Sequence, residues 1–355
     1  MLTFVRQSLR RKLFQFLQRI SETEAARAMA NSTLRGLLYG RPLLDLQGIQ
    51  SPPPPYAELG QSALQTQTSR RRDVIIITAR FRSGSTLLWN LFRHLDGVTA
   101  YYEPFNERRW FDPSLRGSKI DITHKNVDDY WREYEGLDVL QTYYREEWTK
   151  RSLYMDATFW APDMKRYVEI LIEAVSGKPV LQFNRIDFRL PWFRQNFPHA
   201  KIVHLYRHPR DQWCSSLMDP TCFPATVEMC QFPPHDKFYL RSWAQDLKYH
   251  FPFLDEKTLS HPYQMFYYIW KLSYIFGVQY SDHSLSFESL VQYPERELTK
   301  LFSMVNIENF SLESLQSLIV HHPMRKWQDY ADDVWFRNHE TLCETVLADF
   351  FAEGK

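Results

Sequence analysis

The segment from Val74 to Thr86 constrains this chain most. An apolar run, Val74-Ile75-Ile76-Ile77, leads into Arg80-Phe81-Arg82-Ser83-Gly84-Ser85-Thr86. A buried strand, a tight polar turn and a helix start in that order form a phosphate cradle. Backbone N–H groups at a helix N-terminus point at an anion, and the helix dipole favours negative charge there. Set against the pattern G-x-x-x-x-G-K-[ST], Ala79 stands for the first glycine and Ser85 for the lysine. The cradle is kept, but the lysine that a nucleoside triphosphatase places on its terminal phosphates is missing. Arg82 is the cation the loop offers instead.

A second segment narrows the anion. Lys201 to Ser216 reads Lys-Ile-Val-His-Leu-Tyr-Arg-His-Pro-Arg-Asp-Gln-Trp-Cys-Ser-Ser. Ile202–Leu205 has the apolar run of a short buried strand. Arg207 follows its end, and Pro209 and Asp211 suit a turn and helix start. Ser215, about one helical turn beyond Asp211, can face back toward the strand end. An arginine and a hydroxyl converging there make a second phosphate site. Two such sites at the carboxyl edge of one sheet suit a nucleotide phosphorylated at two places.

On these two segments the chain resembles the sulfotransferases that use 3′-phosphoadenosine 5′-phosphosulfate (PAPS). Arg82-Ser83-Gly84-Ser85-Thr86 is similar to the family's 5′-phosphosulfate loop, in the arginine form of carbohydrate sulfotransferases. Arg207, His208-Pro209-Arg210-Asp211 and Ser215 are similar to its 3′-phosphate motif. The resemblance runs from about Asp73 to about Phe350. It implies an α/β fold: a mostly parallel sheet flanked by helices, with a P-loop-like nucleotide site. It also implies sulfuryl transfer from PAPS to a hydroxyl, on a carbohydrate or glycoconjugate, with no metal required. Arg82 is then the clamp on the leaving phosphate. Ser83, Gly84, Ser85 and Thr86 hold the 5′ end, and Arg207 and Ser215 the 3′-phosphate. Arg80 could share the clamp, although alternation along the segment can point it elsewhere. Glu103, in Tyr101-Tyr102-Glu103-Pro104, is the expected base, since the family has an acidic residue before proline there. Its plainer alternative is a structural carboxylate paired with Arg108 or Arg109. His124 is the rival base, because other sulfotransferases use histidine, yet locally it reads as an exposed loop residue. The chain departs from the cytosolic branch at Leu87, where that branch stacks a tryptophan on adenine. Met324-Arg325-Lys326-Trp327 lies where the family places a nucleotide-covering loop. A nucleotide kinase or triphosphatase on the same scaffold, or a non-catalytic nucleotide-binding member, is the alternative reading.

Composition sets outer limits. A chain of 355 residues with 44% hydrophobic content can bury a large core. A net charge of +1 gives no basic field that would argue for nucleic acid. Cys214, Cys222, Cys230 and Cys343 form no C-x-x-C pair, and reduced thiols are expected, with a Cys222–Cys230 bridge as the alternative. No secretory apolar region and no uninterrupted apolar stretch of membrane-spanning length is present. A soluble, bacterial, cytoplasmic enzyme is the expected setting. Residues 1–70 read as an N-terminal arm. Leu2, Val5, Leu9, Leu13, Phe16 and Ile20 recur at helical steps among Arg6, Arg10, Arg11, Lys12 and Arg19, the pattern of a basic amphipathic helix. Such a helix docks on the main domain or a partner, or makes a peripheral membrane contact. Pro52–Pro55 reads as a stiff spacer.

The catalytic domain is expected over 71–355. Strands are expected at 74–78, 178–183, 202–205 and 284–287. Helices are expected at 86–95, 163–175, 192–196, 211–218, 263–276 and 294–305. Asp112–Arg151 and Pro220–Ser260 have weak periodicity and read as insertions above the sheet, where acceptor specificity would sit.

Overall fold

The centre of the molecule is β1 (Ile75–Ala79), every residue of which is buried. A strand buried on both faces reads as an unbroken apolar run, as this one does. In the computed structural model β1 lies in the middle of a five-stranded, wholly parallel sheet of order β2-β3-β1-β4-β5. The others are β2 (Val98–Tyr102), β3 (Lys178–Phe183), β4 (Lys201–Tyr206) and β5 (His283–Ser286). The structure describes residues 71, 73–121, 123–217, 223–233, 236–320 and 324–353. The amphipathic pattern of residues 1–20, the proline spacer, Cys222 and His321-His322 lie outside the described residues.

The described helices are α1 (Ser85–Arg93), α2 (Leu140–Tyr143), α3 (Pro162–Glu173), α4 (Leu190–Asn196), α5 (Pro209–Ser216) and α6 (Leu240–Leu247). They continue with α7 (Pro262–Tyr280), α8 (Phe287–Gln292), α9 (Pro294–Met304), α10 (Leu312–Ser317) and α11 (Asp333–Glu353). Strand β3 and the starts of α9 and of β1 fall at or within a residue of expectation. Proline at the first turn starts α5, α7 and α9, where its missing N–H costs nothing. Helix α7 is longer than its sequence pattern, because its tyrosines and tryptophan pack against neighbours on several sides. Helix α11 carries no expectation from sequence. Its Phe336, Cys343 and Leu347 are buried against α7. Among the described residues no helix is long and apolar enough to cross a membrane.

The strand order places the site. From β1 the chain crosses to the edge strand β2, comes back to β3 beside β1, and then crosses to the other side of β1 with β4 and β5. The loops leaving β1 and β4 diverge at this reversal, where open α/β sheets bind ligands. Register fixes their height: Ala79 pairs with Leu205 across β1 and β4, so Arg80 and Arg207 leave the same edge. On the other side Tyr102 pairs with Gln182, which brings Glu103 level with Asn184 and Arg185.

Helix α7 supports β4 through a close approach. A methyl group on Gly277 would lie 2.4 Å from three ring atoms of His204. That ring is fully buried, stacks on Tyr206 and bonds Ser284 Oγ through Nδ1 at 2.9 Å. Gly277→Ala gains roughly 1 kcal/mol of helix propensity. It must also displace a ring fixed on three sides, and overpacking of that kind costs about 1–3 kcal/mol. We expect a net loss of stability, read as a lower midpoint in urea. An unchanged or raised midpoint would show that the ring yields freely.

Candidate active site at the carboxyl edge of the sheet

The loop after β1 is wound by two left-handed residues, Arg82 at φ 63° and Gly84 at φ 94°. The Arg80 carbonyl accepts the Ser83 N–H at 3.2 Å and the Ser83 hydroxyl at 2.6 Å. These bonds close the turn on itself and aim the first amides of α1 at the sheet edge. No acidic residue lies in the first turn of α1, so nothing within the helix offsets the positive end of its dipole. Gly84 is required twice. Its φ is costly for other residues, and an added Cβ would sit 2.2 Å from the Phe287 ring.

The two anion motifs meet. Arg82 donates from Nε to both the carbonyl and the hydroxyl of Ser215, each at 3.1 Å. Its Nη1 reaches Thr123 Oγ1 at 3.3 Å. Arg207 donates from Nη1 to the Arg82 carbonyl at 3.1 Å. The Arg207 guanidinium lies 5.0 Å from the centre of the Phe287 ring, and its carbonyl accepts the Trp270 indole N–H at 3.0 Å. Burial lowers the pKa of Arg207, opposed by the nearby charges of Asp211 and Glu288. Its Nε is buried with no hydrogen-bond partner among the described residues, which suits a missing anion. Asp211 is engaged elsewhere: its carboxylate accepts the backbone N–H of Arg325 at 3.0 Å and of Trp327 at 3.4 Å. The 324–327 segment is therefore pinned to the first turns of α5, where the Arg210 guanidinium lies over the Trp327 ring.

Phe287 was not visible as a site residue in the sequence. It begins α8, immediately after β5, and ties Gly84 to Arg207 across the sheet edge. Nothing in its local pattern separates it from an ordinary core phenylalanine. Arg80 does not join the clamp. Its side chain is 6% exposed and its guanidinium lies 4.5 Å over the Trp243 ring, on the aromatic core.

Glu103, at φ 41°, sits at the end of β2 and is buried. Its Oε1 accepts Asn184 Nδ2 at 2.5 Å, and its Oε2 accepts Asn106 Nδ2 at 2.6 Å and Arg185 Nη1 at 2.9 Å. Arg185 also donates to Glu107 at 2.7 Å. The expected partners are elsewhere: Arg109 faces Glu146 at 3.6 Å and Arg108 donates to the Lys119 carbonyl. The true partner, Arg185, follows β3 and lies 82 residues away, a separation that local sequence does not reveal.

His124 is not an exposed loop histidine. Its Nε2 lies 3.2 Å from Thr86 Oγ1 and its Nδ1 2.6 Å from the Tyr130 hydroxyl. Thr86 in turn meets the Tyr102 hydroxyl at 2.9 Å. Burial lowers the His124 pKa below its usual 6.5, against the pull of Asp121 and Glu103, so the ring is neutral at pH 7 and able to accept a proton.

Arg185 and Glu103 form a buried pair. Removing one partner of such a pair leaves an uncompensated buried charge and costs about 3–5 kcal/mol. Arg185→Met should show that loss by chemical denaturation. A loss under 1 kcal/mol would mean that Asn184 and Asn106 alone satisfy Glu103.

A family match bears out the resemblance to sulfotransferases. Residues 74–311 match the model described as the sulfotransferase family. No curated protein matches the chain. Among solved structures it is similar to sulfotransferase STF9 from Mycobacterium avium, at 11% identity over 79% of this chain and 76% of that one, with a TM-score of 0.44. It is also similar to the sulfotransferase domain from the curacin biosynthetic pathway, at 17% identity over 70% and 78%, with a TM-score of 0.35. A third is mouse sulfotransferase SULT7A1 complexed with PAP, at 10% identity over 80% and 90%, with a TM-score of 0.36.

Proposed function

The chain belongs to the sulfotransferase family, and from that premise we propose that it moves a sulfuryl group from PAPS to an acceptor hydroxyl by in-line displacement. The observation that carries this reading is the contact of Arg82 with Ser215 and of Arg207 with the Arg82 carbonyl. It gathers both anion motifs at one strand reversal, as a doubly phosphorylated nucleotide needs.

The acceptor oxygen attacks sulfur, the bond from sulfur to the 5′-phosphate oxygen breaks, and adenosine 3′,5′-bisphosphate (PAP) leaves. Negative charge grows on the 5′-phosphate as the bond breaks. Arg82 and the amides at Gly84, Ser85 and Thr86 are positioned to stabilise it. An arginine stays protonated, so Arg82 works as an electrostatic clamp rather than a proton donor. The Ser83 hydroxyl and backbone N–H both already donate to the Arg80 carbonyl, so Ser83 supports the 5′ end by fixing the shape of the loop. Arg207 and Ser215 hold the 3′-phosphate. The arginine form of the loop supports a sugar or glycoconjugate as the acceptor.

Two charge-assisted hydrogen bonds to the 3′-phosphate contribute about 3–6 kcal/mol, or roughly 10²–10⁴ in affinity. Calorimetry should find PAP bound tighter than ADP by that factor, and Arg207→Met should remove most of it. Equal affinities would remove the reading. Magnesium-dependent ATP turnover that Gly84→Asp abolishes would favour a kinase or triphosphatase instead.

The acceptor proton goes to Glu103 in the reading that follows from its place before proline at the end of β2. A second reading, His124, is favoured by one observation. Both oxygens of Glu103 already accept from three nitrogen donors, whereas the His124 ring touches the loop threonine directly. A general base contributes roughly 10²–10⁴ in rate. If Glu103 is the base, Glu103→Gln loses that factor and His124→Gln does not. If His124 is the base, His124→Gln loses it. The wild-type kcat/KM then falls as pH drops through the lowered histidine pKa, below 6.5, an acid limb absent from the variant. Full activity in both variants would exclude both groups.

A further inference from the structure

Behind the Arg82–Ser215 junction lies a cavity of about 180 Å3 that the transfer chemistry does not use. Its walls are aromatic and aliphatic: Phe81 from the loop, Trp213 and Leu217 from α5 and just beyond it, Phe238 and Leu240 around the start of α6, and Phe266 from α7. A cavity of about 150 Å3 lined by such side chains is large enough for a benzene molecule, so this one holds a single substituted ring. Arg80 forms part of its wall. A polar group in that setting is costly unless it is bonded, and the Nε and Nη1 of Arg80 are buried with no hydrogen-bond partner among the described residues.

The charges around Arg80 say what kind of partner is missing. Asp187 and Asp236 lie close enough for their charges to act on it. Neither bonds it. The Asp187 Oδ1 accepts the Thr78 hydroxyl at 2.6 Å, and the Asp236 carboxylate accepts backbone N–H groups of Phe238 and Leu240 at the start of α6. Lys237, also on the cavity wall, is 3.9 Å from Asp121. Asp187, Asp236 and Asp121 against Arg80 and Lys237 leave no positive charge to neutralise. The guanidinium lacks a lone pair rather than a counter-ion.

We propose that this cavity is a recognition subsite for the acceptor and takes an apolar ring bearing an oxygen acceptor such as a carbonyl, which Arg80 binds. The proposal rests on the sulfotransferase reading for its role, because Phe81 neighbours Arg82 and Ser216 neighbours Ser215 in the same walls. It deepens that reading: a sugar acceptor that uses this site carries a ring as its non-sugar part. Arg80 acts here as a specificity residue, remote from the reacting atoms.

The test uses the full chain and two probes of nearly equal shape, acetophenone and ethylbenzene, titrated by calorimetry with and without PAP. A hydrogen bond to a charged donor predicts acetophenone bound roughly ten-fold tighter or more. Arg80→Met should erase that difference. Leu217→Trp, which fills the cavity from the end of α5, should abolish binding of both probes and leave PAP binding intact. Equal probe affinities in the wild type, or unaltered binding in Leu217→Trp, would overturn the proposal. Benzoate bound far tighter than acetophenone would also overturn it, by showing that charge was the missing element. Failure of PAP itself to bind would instead strike the sulfotransferase reading, while probe binding would still report on the cavity.

Discussion

The structure depends on one contact, the hydrogen bonding of Arg82 to Ser215 across the point where the sheet reverses direction. Arg82 belongs to the loop after β1 and Ser215 to the helix after β4. These loops share one edge only because β1 and β4 are parallel neighbours in the register that pairs Ala79 with Leu205. Slipping that register by one residue would reverse which face each side chain points to, and the two motifs would no longer converge. Arg207 locks the same joint from the other side by donating to the Arg82 carbonyl. Phe287 fills the angle between Gly84 and Arg207.

Around this joint the molecule keeps charges in separate, paired sets. Glu103 and Arg185 form one buried network with Asn184, Asn106 and Glu107. Helix α11 forms another. Glu340 accepts from Arg210 and Tyr263, and Glu344 accepts from Tyr267 and Lys271. That second network fastens α11 to α5 and α7, and so holds the 3′ side of the site from behind. Arg210, which follows Arg207 by three residues, therefore braces the helix while Arg207 faces the anion. Two arginines in one short motif have different duties because one lies against α11 and the other against Phe287.

Much of this was legible in the sequence, for local reasons. The apolar run before Arg80, the glycine at position 84 and the proline at position 209 each set the backbone of their immediate neighbours. Strand β1, the loop and the start of α5 follow from such short-range rules. Arg82, Gly84, Thr86, Arg207 and Ser215 come together because each sits on an element of this kind. Glu103, Arg185 and His124 show where the sequence is silent. Arg185 reaches Glu103 from just beyond a strand, 82 residues on, and His124 lies in a segment with weak periodicity, yet burial against Tyr130 and Thr86 holds it at the loop. The direction taken by Arg80 was equally hidden. Strand alternation left it open, and only the packing of Trp243 shows that it points into the aromatic core.

The most direct measurement is a crystal structure of the protein with adenosine 3′,5′-bisphosphate. The account predicts one phosphate on the amides of Gly84 to Thr86 and beside Arg82, and the other on Arg207 and Ser215, with the adenosine spanning the joint between β1 and β4. A nucleotide found with either phosphate away from those groups would contradict it.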